Sequence, residues 1–472
     1  MHESCGVFGV YVPNEDVARI TFFGLFALQH RGQESAGIAT ADGKKISLYT
    51  RMGLVSHVFS EESLRLLAGG HIALGHNRYS TAGSSRECNA QPILVGRGSN
   101  SLAIAHNGNI VNAGYLYEEL CEQGYQFRTS TDSEVIANLI ISSHESDWVS
   151  RIRYAMRRLQ GAYSMTLMTQ DTLFAVRDPL GVRPLCLGTL DGGWVFASET
   201  CALDHIGAEF VREIEPGEIV AINKNGLESY PSEVVGKRRG LCIFEYIYFA
   251  RPDSVINGRL VHMARQAMGA RLAIEHPHDA DLAMGVPDSA TAAGIGYASE
   301  SGIPLAEGLI KNRYVGRTFI EPDQRLRDLG VKLKFNPLPQ MLADKRLIVV
   351  DDSIVRGTTT PAVIRELRRA GAKEIHMRIC APPIRYPCFF GVDMATRQEL
   401  IAARKSIPEI RDYIGADTLG YMSIEGLLDA IALPRNSFCM ACFTGDYPVP
   451  VQLEMDKLAL ESMSAQKANL RR

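Results

Sequence analysis

One segment in the second half of the chain constrains the fold more than any other. Residues 346–361 read RLIVVDDSIVRGTTTP, an apolar run followed by two carboxylates, a short loop and a helix start. The pattern predicts a buried strand of a parallel sheet, with Thr360 as the N-cap of the next helix and Pro361 at its first position. Vicinal sugar hydroxyls can donate to paired carboxylates, while N–H groups at a helix N-terminus face a phosphate. The segment therefore predicts a sugar-phosphate socket; an acidic surface turn is the alternative.

A second chemical feature lies near the N-terminus, where Cys5 precedes a glycine-punctuated apolar run, GVFGV. If residues 1–4 are cleaved as a propeptide, Cys5 carries a free α-amine beside its thiol. That amine can serve as the general base for the thiol, so nucleophile and base would belong to one residue. A lone cysteine is otherwise a small buried hydrophobe, and the neighbouring motifs decide between the two interpretations.

Four further motifs follow Cys5 in order along the first half. They read LQHRGQESAGI at 28–38, GHNRYST at 75–81, HNGN at 106–109 and STDSE at 130–134. The series resembles the class II glutamine amidotransferase family. The resemblance implies an Ntn-hydrolase-type αββα sandwich, of class α+β, that hydrolyses the side-chain amide of glutamine with Cys5 as nucleophile.

The same resemblance implies roles for individual residues. The Asn107 side chain and the Gly108 N–H would stabilise the tetrahedral oxyanion. Arg31, Arg78 and Asp132 would bind glutamine, because a guanidinium fork suits a carboxylate and a carboxylate accepts from an ammonium. Taken singly, Arg78 could form a surface ion pair and Asp132 could cap a helix. Asn107-Gly108 is also a typical turn pair, and we expect a turn that aims the two donors.

Segment 346–361 resembles the motif by which type I phosphoribosyltransferases bind phosphoribosylpyrophosphate (PRPP). Residues 284–294, MGVPDSATAAG, resemble the pyrophosphate loop of that family, and residues 311–320, KNRYVGRTFI, could close over a polyanion. A turn before a helix and a solvated charged loop are the respective alternatives. The implied PRPP-binding residues are Ser289, Lys311, Arg313, Tyr314, Asp351, Asp352, Ser353, Arg356, Gly357, Thr358 and Thr359. Of these, Ser289, Asp351 and Asp352 would surround Mg²⁺, and direct ligation stays open because magnesium keeps several waters.

Taken together, the two halves resemble the glutamine PRPP amidotransferase family, and residues 244–254, FEYIYFARPDS, match that family at the junction. The resemblance implies that glutamine, PRPP and water give 5-phosphoribosylamine, glutamate and pyrophosphate, the first committed step of de novo purine synthesis. It also implies a homotetramer that purine nucleotides inhibit. Two alternatives are an amidotransferase for aminosugar synthesis, which would share only the first half, and a non-enzymatic PRPP-sensing regulator, which would share only the socket.

Ten cysteines are present, and in a cytoplasmic protein they are not expected to form disulfides. Cys439 and Cys442 form a C-x-x-C pair that needs further ligands. By resemblance to the cluster-bearing branch of the family, Cys242 and Cys388 complete a set of four that would hold a [4Fe–4S] cluster. Zinc is the competing interpretation of four such thiolates, and buried cysteines without metal are the third.

The length of 472 residues predicts two or three domains. We expect a propeptide at 1–4, a glutaminase domain at 5–236, an α/β phosphoribosyltransferase domain with a parallel sheet at 237–450, and a helical tail at 451–472. The net charge of −3 gives no field that would attract nucleic acid. The sequence has neither an apolar run of ~18 residues nor a secretory signal, so we expect a cytoplasmic protein without a membrane partner.

Overall fold

The computed structural model of the protein describes residues 5–80, 83–233, 238–312, 334–394, 396–451 and 459–463. The expected propeptide, the boundary expected between residues 236 and 237, and residues 313–320 of the cationic segment lie outside these ranges. No helix in the described ranges is both long and apolar enough to cross a membrane.

Two antiparallel sheets, stacked face to face, form the first half. One sheet has seven strands, in the spatial order Glu209–Glu213, Cys186–Leu190, Gly193–Ala197, Gly6–Tyr11, Ile72–Arg78, Ser35–Ala41 and Ile46–Met52. The other has six, in the order Gly226–Tyr230, Ile219–Asn223, Leu173–Arg177, Gly161–Met168, Leu102–Ile110 and Ile93–Val95. Alternate side chains of both sheets, such as Val7, Leu74, Ala105 and Phe196, meet between them in one apolar core.

Helices cover the outer faces of both sheets. On the seven-stranded sheet lie Val17–Ala27, Val55–Val58, Glu61–Leu66 and Thr200–Ile206. On the six-stranded sheet lie Ala113–Glu122, Asp132–Ser142 and Trp148–Arg158. The side chains of Asp16, Thr131 and Asp147 cap three of these helices by accepting from backbone N–H groups of the first turn. The layers confirm the predicted αββα sandwich.

A four-stranded parallel sheet is the centre of the second half. Its strands lie in the order Leu282–Gly285, Arg346–Asp351, Glu374–Ile379 and Thr418–Tyr421. Helices Val261–Glu275 and Thr291–Ser301 cover one face, and Thr360–Arg369 and Ile407–Ile414 cover the other. Residues 347–350 are fully buried because both faces are covered, which explains their unbroken apolar run. The predicted α/β class of this half is confirmed.

Shorter elements complete the second half and join it to the first. These are helices Pro339–Leu342, Ile401–Arg404, Ile424–Ile431 and Ala441–Thr444, a π-helical turn at Glu245–Phe249, and the strand pairs Leu241–Cys242 with Phe438–Cys439, Val255–Ile256 with Arg259–Leu260, and Leu309–Lys311 with Phe335–Pro337. Short 3₁₀ turns lie at Glu87–Asn89, Gly98–Asn100, Arg397–Glu399 and Arg435–Ser437. Leu460, from the described helical residues 459–463, packs into the core of the first half.

Candidate active sites

Cys5 lies directly before strand Gly6–Tyr11, with only 5% of its surface exposed. Its thiol donates to the carbonyl of Tyr79 at 3.3 Å, at the end of the neighbouring strand Ile72–Arg78. Burial raises the pKa of the Cys5 thiol, and the positive charge of Arg78 partly opposes that increase. The resting thiol is therefore protonated at neutral pH, and it needs a base before it can attack.

Asn107 and Gly108 lie inside strand Leu102–Ile110, so the predicted turn is wrong. They pair in register with Ser164 and Tyr163 of the adjacent strand, which continues the ladder through the Asn-Gly pair. Gly108 has φ +153°, and a Cβ there would lie 1.9 Å from the carbonyl oxygen of Ala162. Only glycine fits this close backbone approach.

The side-chain amide of Asn107 is fully buried. Within the described residues, neither its nitrogen nor its oxygen has a hydrogen-bond partner. An unpaired buried amide costs ~1–3 kcal/mol. Such a cost is expected for a donor that forms its hydrogen bond only when a ligand or a transition state occupies the site.

Arg78 and Asp132 are also buried, at 2% and 4% exposure, so neither is a surface group. Arg78 donates to the carbonyl of Ser84 at 3.2 Å, and its guanidinium lies 3.8 Å from the carboxylate of Glu34. Asp132 is the first residue of its helix rather than the cap, since the Thr131 side chain occupies the cap position. The Asp132 carboxylate accepts from the backbone N–H of Ile110 at 3.1 Å, which fixes it beside the end of the Asn107 strand.

Arg31 occupies a different setting from the one we expected for a glutamine-binding residue. Its side chain is fully buried, donates to the Cys5 carbonyl at 3.0 Å, and forms ion pairs with Glu199 and, at 2.9 Å, with Glu245. These contacts place the guanidinium against the backbone of Cys5 and surround it with two carboxylates. Arg31 therefore holds the backbone of the nucleophile in this structure, and its contact with glutamine stays a prediction.

The second candidate site is a cavity of about 290 Å³ at the carboxyl ends of the parallel strands. Of the predicted PRPP-binding residues, it brings together Ser289, Asp351, Asp352, Ser353, Arg356, Gly357, Thr358 and Thr359. The following helix begins at Thr360, one residue earlier than predicted, with Thr359 at the cap position. Pro361 is tolerated at the second position because N–H groups of the first turn have no intrahelical acceptor.

The two aspartates of this cavity are adjacent, with Asp352 buried and Asp351 partly exposed. Burial and the adjacent Asp352 carboxylate both raise the pKa of Asp351 well above its usual range. Closely spaced oxygen atoms that carry excess negative charge favour the binding of a hard divalent cation. Asp351, Asp352 and Ser289 therefore fit the expected Mg²⁺ environment.

The two described cations among the predicted PRPP-binding residues, Lys311 and Arg356, both form ion pairs. Lys311 pairs with Asp288, next to Ser289, at 2.5 Å. Arg356 pairs with Glu399, and it also donates to the carbonyl of Asp393 at 3.3 Å. Arg313 and Tyr314 are among the residues that the structure does not describe.

Four cysteines from three distant segments line one small cavity at the junction of the two halves: Cys242, Cys388, Cys439 and Cys442. The parallel pairing of Leu241–Cys242 with Phe438–Cys439 sets two of them side by side. Burial raises the pKa of all four thiols, to about 12 for Cys439, and for Cys242, Cys439 and Cys442 their mutual charges add to this. Within the described ranges, no three His, Cys, Asp or Glu side chains gather closely enough to hold a single metal ion.

Sequence reasoning missed several residues of both sites. Tyr248 lines the cavity at the carboxyl ends of the parallel strands, called the PRPP-type cavity from here on. It lies in the junction segment 244–254, which carried part of the family resemblance. Lys334 and Phe335 line the cavity at the start of strand Phe335–Pro337, a segment with no recognisable motif. Glu199 and Glu245, the partners of Arg31, carry no local signal because they lie 168 and 214 residues away from it.

Fold and site together define a class of protein: a glutamine amidotransferase joined to a phosphoribosyltransferase. Residues 76–205 match the family model described as "Glutamine amidotransferase domain". The chain is 50% identical to amidophosphoribosyltransferase of Synechococcus elongatus over 98% of this chain and 95% of that protein. It is 48% identical to amidophosphoribosyltransferase of Methanocaldococcus jannaschii over 95% of this chain and 98% of that one.

A solved structure gives the same result. Glutamine PRPP amidotransferase from B. subtilis, in complex with ADP and GMP, has a TM-score of 0.90 and 46% identity over 97% of this chain and all of that chain. The chain therefore belongs to the amidophosphoribosyltransferase family. Because both halves of the chain match members of this family, neither the aminosugar-forming enzyme nor the PRPP-sensing regulator is favoured.

Proposed function

We propose that this chain converts glutamine, PRPP and water into 5-phosphoribosylamine, glutamate and pyrophosphate, the first committed step of de novo purine synthesis. The observation that carries the proposal is the presence of two chemically distinct sets of groups in one chain. The first half holds a buried cysteine and an asparagine amide without a partner among the described residues, and the second holds a diacidic cavity beside a helix N-terminus. Family membership over nearly the whole chain supports the same reaction.

In the first half, the Cys5 sulfur attacks the side-chain amide carbon of glutamine. Removal of residues 1–4 would leave the α-amine of Cys5 free to accept the thiol proton. Without such a base the thiol keeps its proton, because burial raises the pKa of the thiol. The Asn107 amide and the Gly108 N–H donate to the oxyanion as the carbonyl becomes tetrahedral. Ammonia leaves, and water then releases glutamate from the thioester. Arg78 and Asp132 bind the carboxylate and ammonium of glutamine, and Arg31, which donates to the Cys5 carbonyl, completes the proposed glutamine-binding set.

In the second half, ammonia from the first site attacks C1 of PRPP and pyrophosphate departs from the opposite face. Asp351 and Asp352 accept from the ribose hydroxyls, and Ser353 and residues 357–359 hold the 5′-phosphate with hydroxyl and N–H donors. Lys311 and Arg313 would bind the pyrophosphate, and Tyr314 would complete the PRPP-binding set. Arg356, which is paired with Glu399, completes the proposed PRPP-binding set. Mg²⁺, held near Ser289, Asp351 and Asp352, would neutralise the leaving pyrophosphate.

We further propose that the four junction cysteines hold a [4Fe–4S] cluster. Four thiols around one cavity, drawn from three segments, fit a cluster better than isolated packing residues. Its contribution would be structural, since Cys242 belongs to the junction while the other ligands come from the second half. Zinc is the alternative occupant, and a single zinc ion would need the thiols closer together than they lie in the described ranges.

Regulation, assembly and location complete the proposal. The solved relative from B. subtilis was obtained in complex with ADP and GMP, which supports purine nucleotides as inhibitors. We propose a cytoplasmic homotetramer, with the domains divided at residues 236 and 237 and a helical tail from residue 451.

The test is a balance of products. Purified protein given glutamine, PRPP and Mg²⁺ should release glutamate and pyrophosphate in equal amounts, and ammonium should replace glutamine in pyrophosphate release. Glutamate release without PRPP consumption, even at saturating PRPP, would contradict the proposed reaction.

A further inference from the structure

A short segment of the second half lies directly against the strand that carries the oxyanion donors. This bridge segment, residues 388–394, contacts the first half through backbone carbonyl groups. The Asn109 amide donates to the Phe389 carbonyl at 2.9 Å, and the Arg183 guanidinium donates to the Phe390 carbonyl at 2.9 Å. Both donors are buried residues of the first half. Asn109 is two residues beyond Asn107 on the same strand, so its anchor fixes the end of that strand.

The backbones of the two halves also touch at the oxyanion position itself. Gly391 has φ +92°, and a Cβ on it would lie 2.9 Å from the carbonyl carbon of Gly108. Gly108 is the residue whose N–H is assigned to the oxyanion. Any displacement of the bridge segment would therefore reach Gly108 through direct contact.

The bridge segment is in turn held at both ends within the second half. The Cys388 N–H donates to the Met394 carbonyl at 3.0 Å, which closes the segment into a loop. Arg356, from the loop of the PRPP-type cavity, donates to the Asp393 carbonyl at 3.3 Å. The position of the loop is thus fixed by groups of the second half, and not by the glutaminase fold alone.

We propose that the bridge segment positions the oxyanion strand, with Asn109 as the positioning residue and the Phe389 carbonyl as its anchor. The second half then contributes directly to the geometry of glutamine hydrolysis. Oxyanion donors act only when they are held within about 0.5 Å of the productive geometry, so a loose strand end would weaken the transition state more than substrate binding. This inference rests on the proposed glutaminase reaction.

Asn109→Ala in the full-length protein tests the proposal. We expect kcat for glutamate release to fall at least tenfold, KM for glutamine to stay within twofold, and ammonia-dependent synthesis to stay unchanged. Asn109→Asp keeps the shape but turns an acceptor toward the Phe389 carbonyl, so it should be no better than alanine. If the Asn109 side chain only filled space, the aspartate variant would instead keep the wild-type kcat. Ammonia-dependent synthesis, which does not use the oxyanion strand, shows whether each variant has folded.

A matched control is available on the same side of the molecule. The Asn112 amide also donates to a backbone carbonyl, that of Arg158 at 2.9 Å, but entirely within the first half. Asn112→Ala should leave kcat and KM for glutamine within twofold of the wild type.

A second readout separates positioning from general damage. Glutamate γ-semialdehyde can add the Cys5 thiol to form a tetrahedral adduct, so its affinity should weaken in Asn109→Ala by the same factor as kcat. Affinity for glutamate, which forms no adduct, should not change. Unchanged kcat in both Asn109 variants, or equal weakening of the two ligands, would overturn the inference. Failure of the wild type to make phosphoribosylamine from glutamine would refute the proposed function instead.

Discussion

The buried amide of Asn107 gives the most specific prediction, because its two effects should have opposite signs. Neither polar atom of this side chain has a partner among the described residues, and the side chain is fully buried. Asn107→Ala removes that unsatisfied group and so recovers ~1–3 kcal/mol of stability, less the cost of the small cavity left behind. We therefore expect a thermal midpoint equal to or slightly above that of the wild type.

Catalysis should respond in the opposite direction. Removal of one oxyanion donor lowers kcat by about 10²–10³, equivalent to ~2.7–4 kcal/mol of transition-state stabilisation. KM for glutamine should change little, since the amide is assigned to the transition state and not to the bound substrate. The assay is glutamate release at saturating PRPP, with ammonia-dependent synthesis as the internal control.

Two results would refute this reasoning. A variant that loses ammonia-dependent synthesis together with glutaminase activity would indicate misfolding, and the thermal midpoint would then fall. A variant that keeps more than about a tenth of the wild-type kcat would show that Asn107 is not an oxyanion donor.

The remaining predictions concern the metal, the coupling of the sites and the pH dependence. Anaerobically purified protein should be brown, with about four irons and four sulfides per chain, whereas colourless active protein with one zinc would decide for zinc. PRPP should raise glutamate release, and Tyr314→Ala should lose this stimulation more than the basal rate; full stimulation in the variant would exclude a coupling role for residues 311–320. Burial lowers the pKa of His76 in the folded protein to about 3, from an unfolded value near 6.5. As the pH falls below 6.5, the unfolded state binds a proton that the folded state does not bind, and the folded protein loses stability. Urea unfolding should show ~2 kcal/mol less stability from this group at pH 5 than at pH 7.5, a loss that His76→Gln removes; an equal loss in the variant would contradict it.

The sequence was sufficient to predict a site where the reactive residues and the secondary structure that holds them lie in one continuous segment. Segment 346–361 contains the strand, the carboxylates and the helix start in one continuous stretch, so the cavity could be predicted before the fold was known. The same holds for the order of the glutaminase motifs around Cys5.

Prediction failed where distant partners determine the outcome. Asn107-Gly108 is a turn sequence by local preference, but pairing with strand Gly161–Met168 places it inside a sheet. The ion-pair partners of Arg31, Glu199 and Glu245, come from distant parts of the chain, so its buried setting could not be predicted from the local motif. Tertiary contacts outweigh local propensity at such positions, and no short-range pattern reports them.

The central claim is that two separate sites share ammonia within one chain, and Cys5→Ala tests it most directly. With glutamine as the nitrogen donor, phosphoribosylamine synthesis by this variant should be abolished. With a high concentration of ammonium, synthesis should continue at the wild-type rate, because the PRPP-type cavity does not use the thiol. Equal loss of both activities, or survival of the glutamine-dependent reaction, would contradict the account.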